Sequence, residues 1–201
     1  MNVLGKQRDF FIRQKTKDVS FRKEALKRLQ KEIIAHEDDI AEAIYKDFKK
    51  PKFETLAAET QFVLAELKLT LKNINHWAAP ERKSASLMNW PSSDWIYREP
   101  YGAVLIIAPW NYPFQLAFAP MIAAVAAGNT VVVKPSEVTP HTASIISEIV
   151  SAVFVTEHVT VVEGGVEVSQ ELLAEKWDYI FFTGSSRVGQ IVYESAAKHL
   201  T

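Results

Sequence analysis

Asn111 is the first residue whose setting suggests chemistry, because Pro109 and Pro113 bracket it and restrict the backbone on both sides. It follows an apolar run that is typical of a buried strand. An amide held rigidly at such a place can donate a hydrogen bond to a developing oxyanion, an interaction worth roughly 2.7–4 kcal/mol in acyl-transfer sites. The alternative is structural, an Asn that caps the helix starting at Pro113. The loop by itself leaves both interpretations open.

A second loop, Lys134-Pro-Ser-Glu137, follows another apolar run. A Lys at the end of a buried strand costs free energy unless its ammonium meets acceptors. A carboxylate three residues later suits paired hydroxyls such as those of a ribose, because the Lys donates hydrogen bonds and the Glu accepts them. The alternative is a surface Lys–Glu ion pair, which contributes at most about 1 kcal/mol.

The third loop runs from Gly184 to Gly189 and leads into a predicted helix. Free amides and the positive end of the dipole at a helix N-terminus favour a phosphate group. The two glycines have the spacing of a Walker A loop, but Gln190 and Ile191 stand where Lys and Ser or Thr are required, which disfavours ATP hydrolysis. The sequence also contains no G-x-G-x-x-G motif. A plain helix entry is the alternative.

The composition excludes several classes of protein. The 201 residues are 48% hydrophobic and carry a net charge of −1, which is ordinary for a globular domain and offers no overall field for nucleic acid. The sequence has no cysteine, so disulfides, thiolate metal sites and a cysteine nucleophile are all excluded. The five histidines lack paired ligand spacing, and no metal site is expected.

The most apolar window covers positions 114–128, and it is too short and too interrupted to span a bilayer core of about 30 Å. Lys6, Arg8 and Asp9 interrupt the start of the chain, which lacks the apolar stretch of a secretory signal. We therefore expect a cytoplasmic protein without a membrane-spanning segment.

Strand-like and helix-like segments alternate from Gly102 onward. Continuous apolar strands indicate burial on both faces, which is typical of a parallel sheet with helices on each side. An α/β fold is therefore predicted. The expected strands cover 103–108, 130–134, 159–162 and 179–182, and the expected helices cover 114–127, 141–154, 166–176 and 188–199.

The first 101 residues follow a different pattern. Apolar positions at helical spacing predict one helix from Ser20, as its N-cap, to about Phe48, with Pro51 as a stop, and a second over 56–77. Positions 81–101 are expected to form an extended ribbon that pairs with another chain's sheet edge or closes as a surface hairpin. The predicted regions are a helical part over 1–80, the ribbon over 81–101 and a nucleotide-binding part over 102–201.

Four segments follow one another along the chain: Pro109-Trp110-Asn111-Tyr112-Pro113, Ala126-Ala127-Gly128-Asn129, Lys134-Pro135-Ser136-Glu137 and Phe182 through Gly189. Together and in this order, they resemble the NAD-binding half of the aldehyde dehydrogenase superfamily. The last six residues, 196–201, and the short N-terminal extension resemble its class 3, fatty-aldehyde type. The resemblance implies a partial variant Rossmann sheet with helices on both faces, a preceding helical region and an oligomerisation ribbon.

The resemblance also implies residue roles. Asn111 would stabilise the oxyanion, and Lys134 and Glu137 would bind the adenosine ribose. NAD is the expected cofactor, with NADP as the alternative, since a 2′-phosphate would meet the charge of Glu137. The residues implied to contact the cofactor are Ile107, Ala108, Pro109, Trp110, Lys134, Glu137, Gly184 and Ser185 at the pyrophosphate, Val188 near the adenine, and Gly189.

Members of this family use a cysteine thiolate and a general-base glutamate, both downstream of the matched region. Without them, the chain is expected to bind NAD(P) as a truncated or split product with the catalytic domain absent. It is expected to oxidise aldehydes to carboxylic acids only with a complementing segment. A non-catalytic nucleotide-binding or assembly module is the alternative, and a homo-oligomer or a complementing chain is the expected macromolecular partner.

Overall fold

The computed structural model describes residues 3–201. Its first part is a group of helices, in which the first packs against one face of a sheet and the second, third and fifth contribute to the core on the opposite face. A π-helical segment, Leu56–Thr60, joins the fourth helix to the fifth. None of the helices described over residues 3–201 is both long and apolar enough to cross a membrane. The helices of this part are α1 (Val3–Ile12), α2 (Val19–Ala35), α3 (Glu37–Phe48), α4 (Lys52–Thr55) and α5 (Gln61–Ala78).

The prediction of a single helix from Ser20 to Phe48 is wrong, because α2 and α3 are separated at His36. The first turn of α3 carries three consecutive acidic residues, which interact favourably with the positive end of a new helix dipole. The N-cap also lies two residues earlier than expected. Asp18 accepts a hydrogen bond from the backbone N–H of Ser20 at 2.8 Å, so Asp18 caps α2.

The ribbon consists of two short antiparallel strands, β1 (Glu81–Lys83) and β2 (Asp94–Ile96). They pair with each other, as in the surface-hairpin alternative, with Arg82 opposite Trp95. The connection between them exposes large apolar side chains, which are Leu87, Met88 and Trp90. Pairing of this ribbon with another chain stays a prediction.

The main sheet has four strands, all parallel, in the order β5-β4-β3-β6. The α/β prediction is therefore confirmed. The strands are β3 (Ala103–Ile107), β4 (Thr130–Lys134), β5 (Val159–Val161) and β6 (Tyr179–Phe182). The helices between and after them are α6 (Gln115–Ala127), α7 (Pro140–Val153), α8 (Val166–Ala174) and α9 (Ser186–Ala197).

Helices cover both faces of the sheet because successive side chains of a strand point to opposite faces. Val104 and Ile106 belong to the core beneath α2, α5, α6 and α7. Ala103 and Leu105 belong to a second core with residues of α1, α8 and α9. Burial on both faces holds for β3 and β4 but is wrong for β6, the edge strand, where Tyr179 and Phe181 are exposed.

Candidate functional site

The carboxyl ends of β3, β4 and β6 bring the three sequence-predicted loops to one edge of the sheet. Ile107 pairs with Lys134 on one side and with Phe182 on the other. The backbone N–H of Ala108 then donates to the carbonyl of Lys134 at 3.0 Å. Ligands of open α/β sheets bind in the crevice at this edge, so the loops lie where a cofactor would be expected.

Lys134 is buried, with 2% of its side chain exposed, and its Nζ donates to Glu137 Oε2 at 2.7 Å. Partial burial by itself would raise the pKa of the Glu137 carboxyl, but the hydrogen bond and charge of Lys134 hold the net pKa below its usual value. Glu137 is therefore ionised at neutral pH and keeps 44% of its side chain exposed. A surface ion pair does not describe this geometry, since the ammonium is inside the protein.

The buried ammonium has capacity left for a ligand. A Lys ammonium offers three N–H donors, and within residues 3–201 the Glu137 carboxylate is its one hydrogen-bond acceptor. A pair of vicinal hydroxyls could accept from Lys134 and donate to Glu137. The donor set therefore fits the ribose diol of a nucleotide.

The glycine loop is formed around the ring of Phe182. A Cβ atom added at Gly184 would stand 2.4 Å from the Phe182 ring, and one at Gly189 would stand 3.3 Å from it. Both glycines are thus explained by this packing, whether or not a phosphate binds. Ser185 caps α9, since its Oγ accepts from the backbone N–H of Val188 at 3.4 Å. The exposed first turn of α9 leaves room for an anion.

Asn111 lies exposed in the loop between β3 and α6. The helix-capping alternative for this residue is wrong. Helix α6 begins at Gln115, and the backbone N–H groups of Phe114 and Gln115 donate to Glu59 Oε2 at 2.9 and 3.3 Å. Within residues 3–201, no group is hydrogen-bonded to the side-chain amide of Asn111, which leaves it available to a ligand.

Glu59 and Lys50 are two residues of this site that the sequence did not indicate. Lys50 Nζ donates to Glu59 Oε1 at 2.5 Å and to the backbone carbonyl of Asn111 at 3.4 Å. One sequence signal could have found the carboxylate. Glu59 shares a helical face with Thr55 and Val63, four residues away on either side and both fully buried.

No metal-binding cluster of three or more His, Cys, Asp or Glu side chains occurs in the part of the chain that the structure describes. The carboxylates near the sheet edge are instead paired with lysines, which are Lys134 for Glu137 and Lys50 for Glu59.

The chain is similar to proteins of one family along nearly its whole length. The model of the aldehyde dehydrogenase family matches residues 8–201. A Staphylococcus aureus protein named 4,4'-diaponeurosporen-aldehyde dehydrogenase is 45% identical over 204 residues, covering 100% of this chain and 44% of that protein. Aldehyde dehydrogenase family 3 member H1 of Arabidopsis thaliana is 40% identical over 200 residues, covering 100% of this chain and 41% of that protein.

A comparison with solved structures points to the same family. The substrate-bound state of Staphylococcus aureus AldH superposes with a TM-score of 0.97 at 45% identity, over 99% of this chain and 43% of that one. The chain thus spans less than half the length of the curated relatives it matches, 44% and 41% in the two cases above. Its similarity to class 3 relatives agrees with the sequence-based expectation, and the chain belongs to the aldehyde dehydrogenase family.

Proposed function

We propose that this chain is the cofactor-binding portion of an NAD(P)-dependent aldehyde dehydrogenase, which oxidises aldehydes to carboxylic acids. The observation that carries the proposal is the buried Lys134 ammonium, which has one acceptor among the described residues and stands beside the ionised Glu137. When bound, the nicotinamide cofactor would accept the hydride that the aldehyde loses. Two proteins that share this fold at 20% and 23% identity have structures with a bound cofactor, which is NADP+ in a succinic semialdehyde dehydrogenase from Streptococcus pyogenes and NAD+ in an aldehyde dehydrogenase from Bacillus cereus.

Lys134 would donate to the adenosine ribose and Glu137 would accept from it. Because Glu137 is ionised, a 2′-phosphate at that ribose would meet a like charge, which supports NAD over NADP. The remaining proposed cofactor contacts are the cleft-lining Ile107, Ala108, Pro109 and Trp110, the pyrophosphate-binding Gly184 and Ser185, Val188 beside the adenine, and Gly189 in the same loop.

The side-chain amide of Asn111 would donate a hydrogen bond to the oxygen of the reacting carbonyl as negative charge develops there. The chain contains no cysteine, so it does not itself supply the thiolate nucleophile that the family uses. A hydroxyl is a far weaker nucleophile without an adjacent base. We therefore propose that this chain oxidises aldehydes only when a complementing segment supplies the thiolate and the general base.

Titration of the folded chain with NAD by calorimetry tests cofactor binding. Lys134→Met is expected to weaken NAD binding by roughly ten- to one-hundred-fold, because it removes a charged hydrogen-bond donor worth about 1.5–3 kcal/mol. Lys198→Met, which removes the same charge from the exposed residue at the C-terminal end of α9, is the matched control and should leave the affinity unchanged. Absence of NAD binding by the folded chain, or equal affinities in the two Lys variants, would contradict the proposal.

Glu137→Gln should reduce the preference for NAD over NADP in the same titrations, because it removes the negative charge that a 2′-phosphate would meet.

A second role, as an assembly module, is favoured by the exposed apolar side chains of the ribbon, Leu87, Met88 and Trp90. Replacing all three with serine is expected to convert an oligomer to a monomer in sedimentation velocity experiments, with NAD affinity unchanged. A monomeric unsubstituted chain at micromolar concentration would argue against association through the ribbon.

The expected cytoplasmic location remains a prediction from the sequence.

A further inference from the structure

Lys50 and Glu59 form an ion pair that is buried on both sides, with side-chain exposures of 6% and 0%. Neither residue belongs to the nucleotide-binding strands. Lys50 lies between α3 and α4, and Glu59 lies in the π-helical segment before α5. Both nevertheless reach the loop that carries Asn111. The pair therefore connects the N-terminal helices to the β3–α6 loop.

Both oxygens of the Glu59 carboxylate are used. Oε1 accepts from Lys50, and Oε2 accepts from the first free backbone amides of α6, those of Phe114 and Gln115. A carboxylate at a helix N-terminus is favoured by the helix dipole, and hydrogen bonds to an ionised acceptor are stronger than neutral ones. Glu59 thus fixes the end of the loop that follows Asn111.

Lys50 fixes the middle of the same loop. Its Nζ donates to the backbone carbonyl of Asn111 at 3.4 Å and lies 4.3 Å from the centre of the Tyr112 ring. It also lies 4.9 Å from the centre of the Phe48 ring, so the ammonium is enclosed by two aromatic side chains. Four of the residues 111–115 therefore contact either this cation or its carboxylate partner.

Stability alone is a weak reason for such a pair. Removing two charges from water costs so much that well-packed apolar residues of similar volume often stabilise a protein as well or better. Charged hydrogen bonds instead specify one geometry. Glu59 also lies in a π-helical segment, a feature that is frequent at functional sites because the extra residue redirects side chains.

We propose that Lys50 and Glu59 are positioning residues that hold the Asn111 loop in one conformation, with the Asn111 side chain presented to the cofactor edge of the sheet. The role rests on the proposed function of Asn111 as an oxyanion donor. It acts through the backbone of residues 111–115 and requires no contact between the ion pair and the substrate.

Backbone ¹⁵N relaxation of the folded chain tests the proposal. In Glu59→Gln and in Lys50→Met, the order parameters of the Asn111 and Tyr112 amides are expected to fall from about 0.85 to below about 0.6, while those of β3 and β4 stay unchanged. Lys46→Met removes an exposed Lys of α3 that pairs with Glu42 at 2.6 Å, and this control should leave the loop rigid. A merely structural pair would lower global stability without loosening this loop in the native state.

Titration with AMP separates this proposal from the proposed function. AMP affinity should stay within twofold in both variants, because Lys134 and Glu137 lie at the end of the adjacent strand. Failure of the unsubstituted chain to bind AMP would count against the nucleotide site and leave the loop measurement valid. Rigid Asn111 and Tyr112 amides in a folded Lys50→Met chain, which keeps Glu59 and its two amide bonds, would overturn the positioning role even if Glu59→Gln fails to fold.

Discussion

Replacing Gly102 with alanine is expected to lower the free energy of unfolding by about 2–4 kcal/mol. Gly102 has a φ of +137°, a conformation that residues with a side chain rarely adopt. A Cβ atom there would also lie 2.4 Å from Asp178 Oδ2. That carboxylate oxygen accepts from the backbone N–H of Ala103 at 2.8 Å, so moving it aside would break the bond between the start of β3 and the segment before β6.

Urea denaturation followed by circular dichroism measures this loss. Gly165→Ala is the matched control, because Gly165 has a φ of −83° and its added Cβ would meet only the end of the flexible Glu167 side chain, at 3.2 Å. The control is expected to change the free energy of unfolding by less than about 0.5 kcal/mol. Equal losses in the two alanine variants would refute the explanation based on Gly102 geometry.

The second large effect is a loss of stability in mild acid caused by His158. This side chain is 2% exposed and lies 5.3–5.5 Å, centre to centre, from the rings of Phe10, Phe21 and Phe154. Within residues 3–201, its Nε2 has no hydrogen-bond partner. Burial, and then the charge of Arg28, lower the pKa of His158 from 6.5 to about 4.

The unfolded chain therefore binds a proton at His158 below pH 6.5, whereas the folded chain binds it only below about pH 4. Stability is expected to fall by about 3 kcal/mol as the pH decreases from 6.5 to 4, since the unfolded state binds more protons across that window. Above pH 6.5 the group is neutral in both states and has no effect on this dependence.

His158→Phe, which keeps an aromatic ring among the three phenylalanines, should flatten the dependence in urea unfolding curves recorded at pH 4.5, 5.5 and 7. The half-buried His36 contributes in the opposite direction, because hydrogen bonds to Asp39 and Glu32 raise its pKa despite slight burial. Its contribution is present in both chains and cancels in the comparison. A pH dependence that is the same with and without His158 would disprove the assignment.

The strands were the most predictable part of the fold. β4 and β6 begin and end at the residues expected from the apolar runs, and β3 ends one residue earlier than expected. Helix boundaries were less predictable in the N-terminal region. The apolar spacing continues through His36, so periodicity alone could not separate α2 from α3.

The sheet edge was also anticipated in outline. Lys134, Glu137 and Asn111 each follow a strand, and the carboxyl ends of parallel strands meet at one edge. The pairing of Lys134 with Glu137 is local in sequence, and three residues of separation suffice to bring their charges together. The family assignment then followed from the same short motifs.

Two helix caps and the titration of His158 depend on residues that are distant in sequence. Asp47 of α3 accepts from the backbone N–H groups of His141 and Thr142, at 3.1 and 2.8 Å, and so caps α7. Glu59 caps α6 across 55 positions. Whether His158 titrates at an ordinary pH depends on rings contributed by α1 and α2.

Residue types and short spacings were enough to predict the alternation of strands and helices and the three loops at the sheet edge, and they show that these 201 residues include no cysteine. The buried charges, the helix ends capped from other helices and the exposed face of β6 became known from the three-dimensional structure. The energy of a charge or an unpaired amide depends on what surrounds it, and those surroundings come from the whole chain.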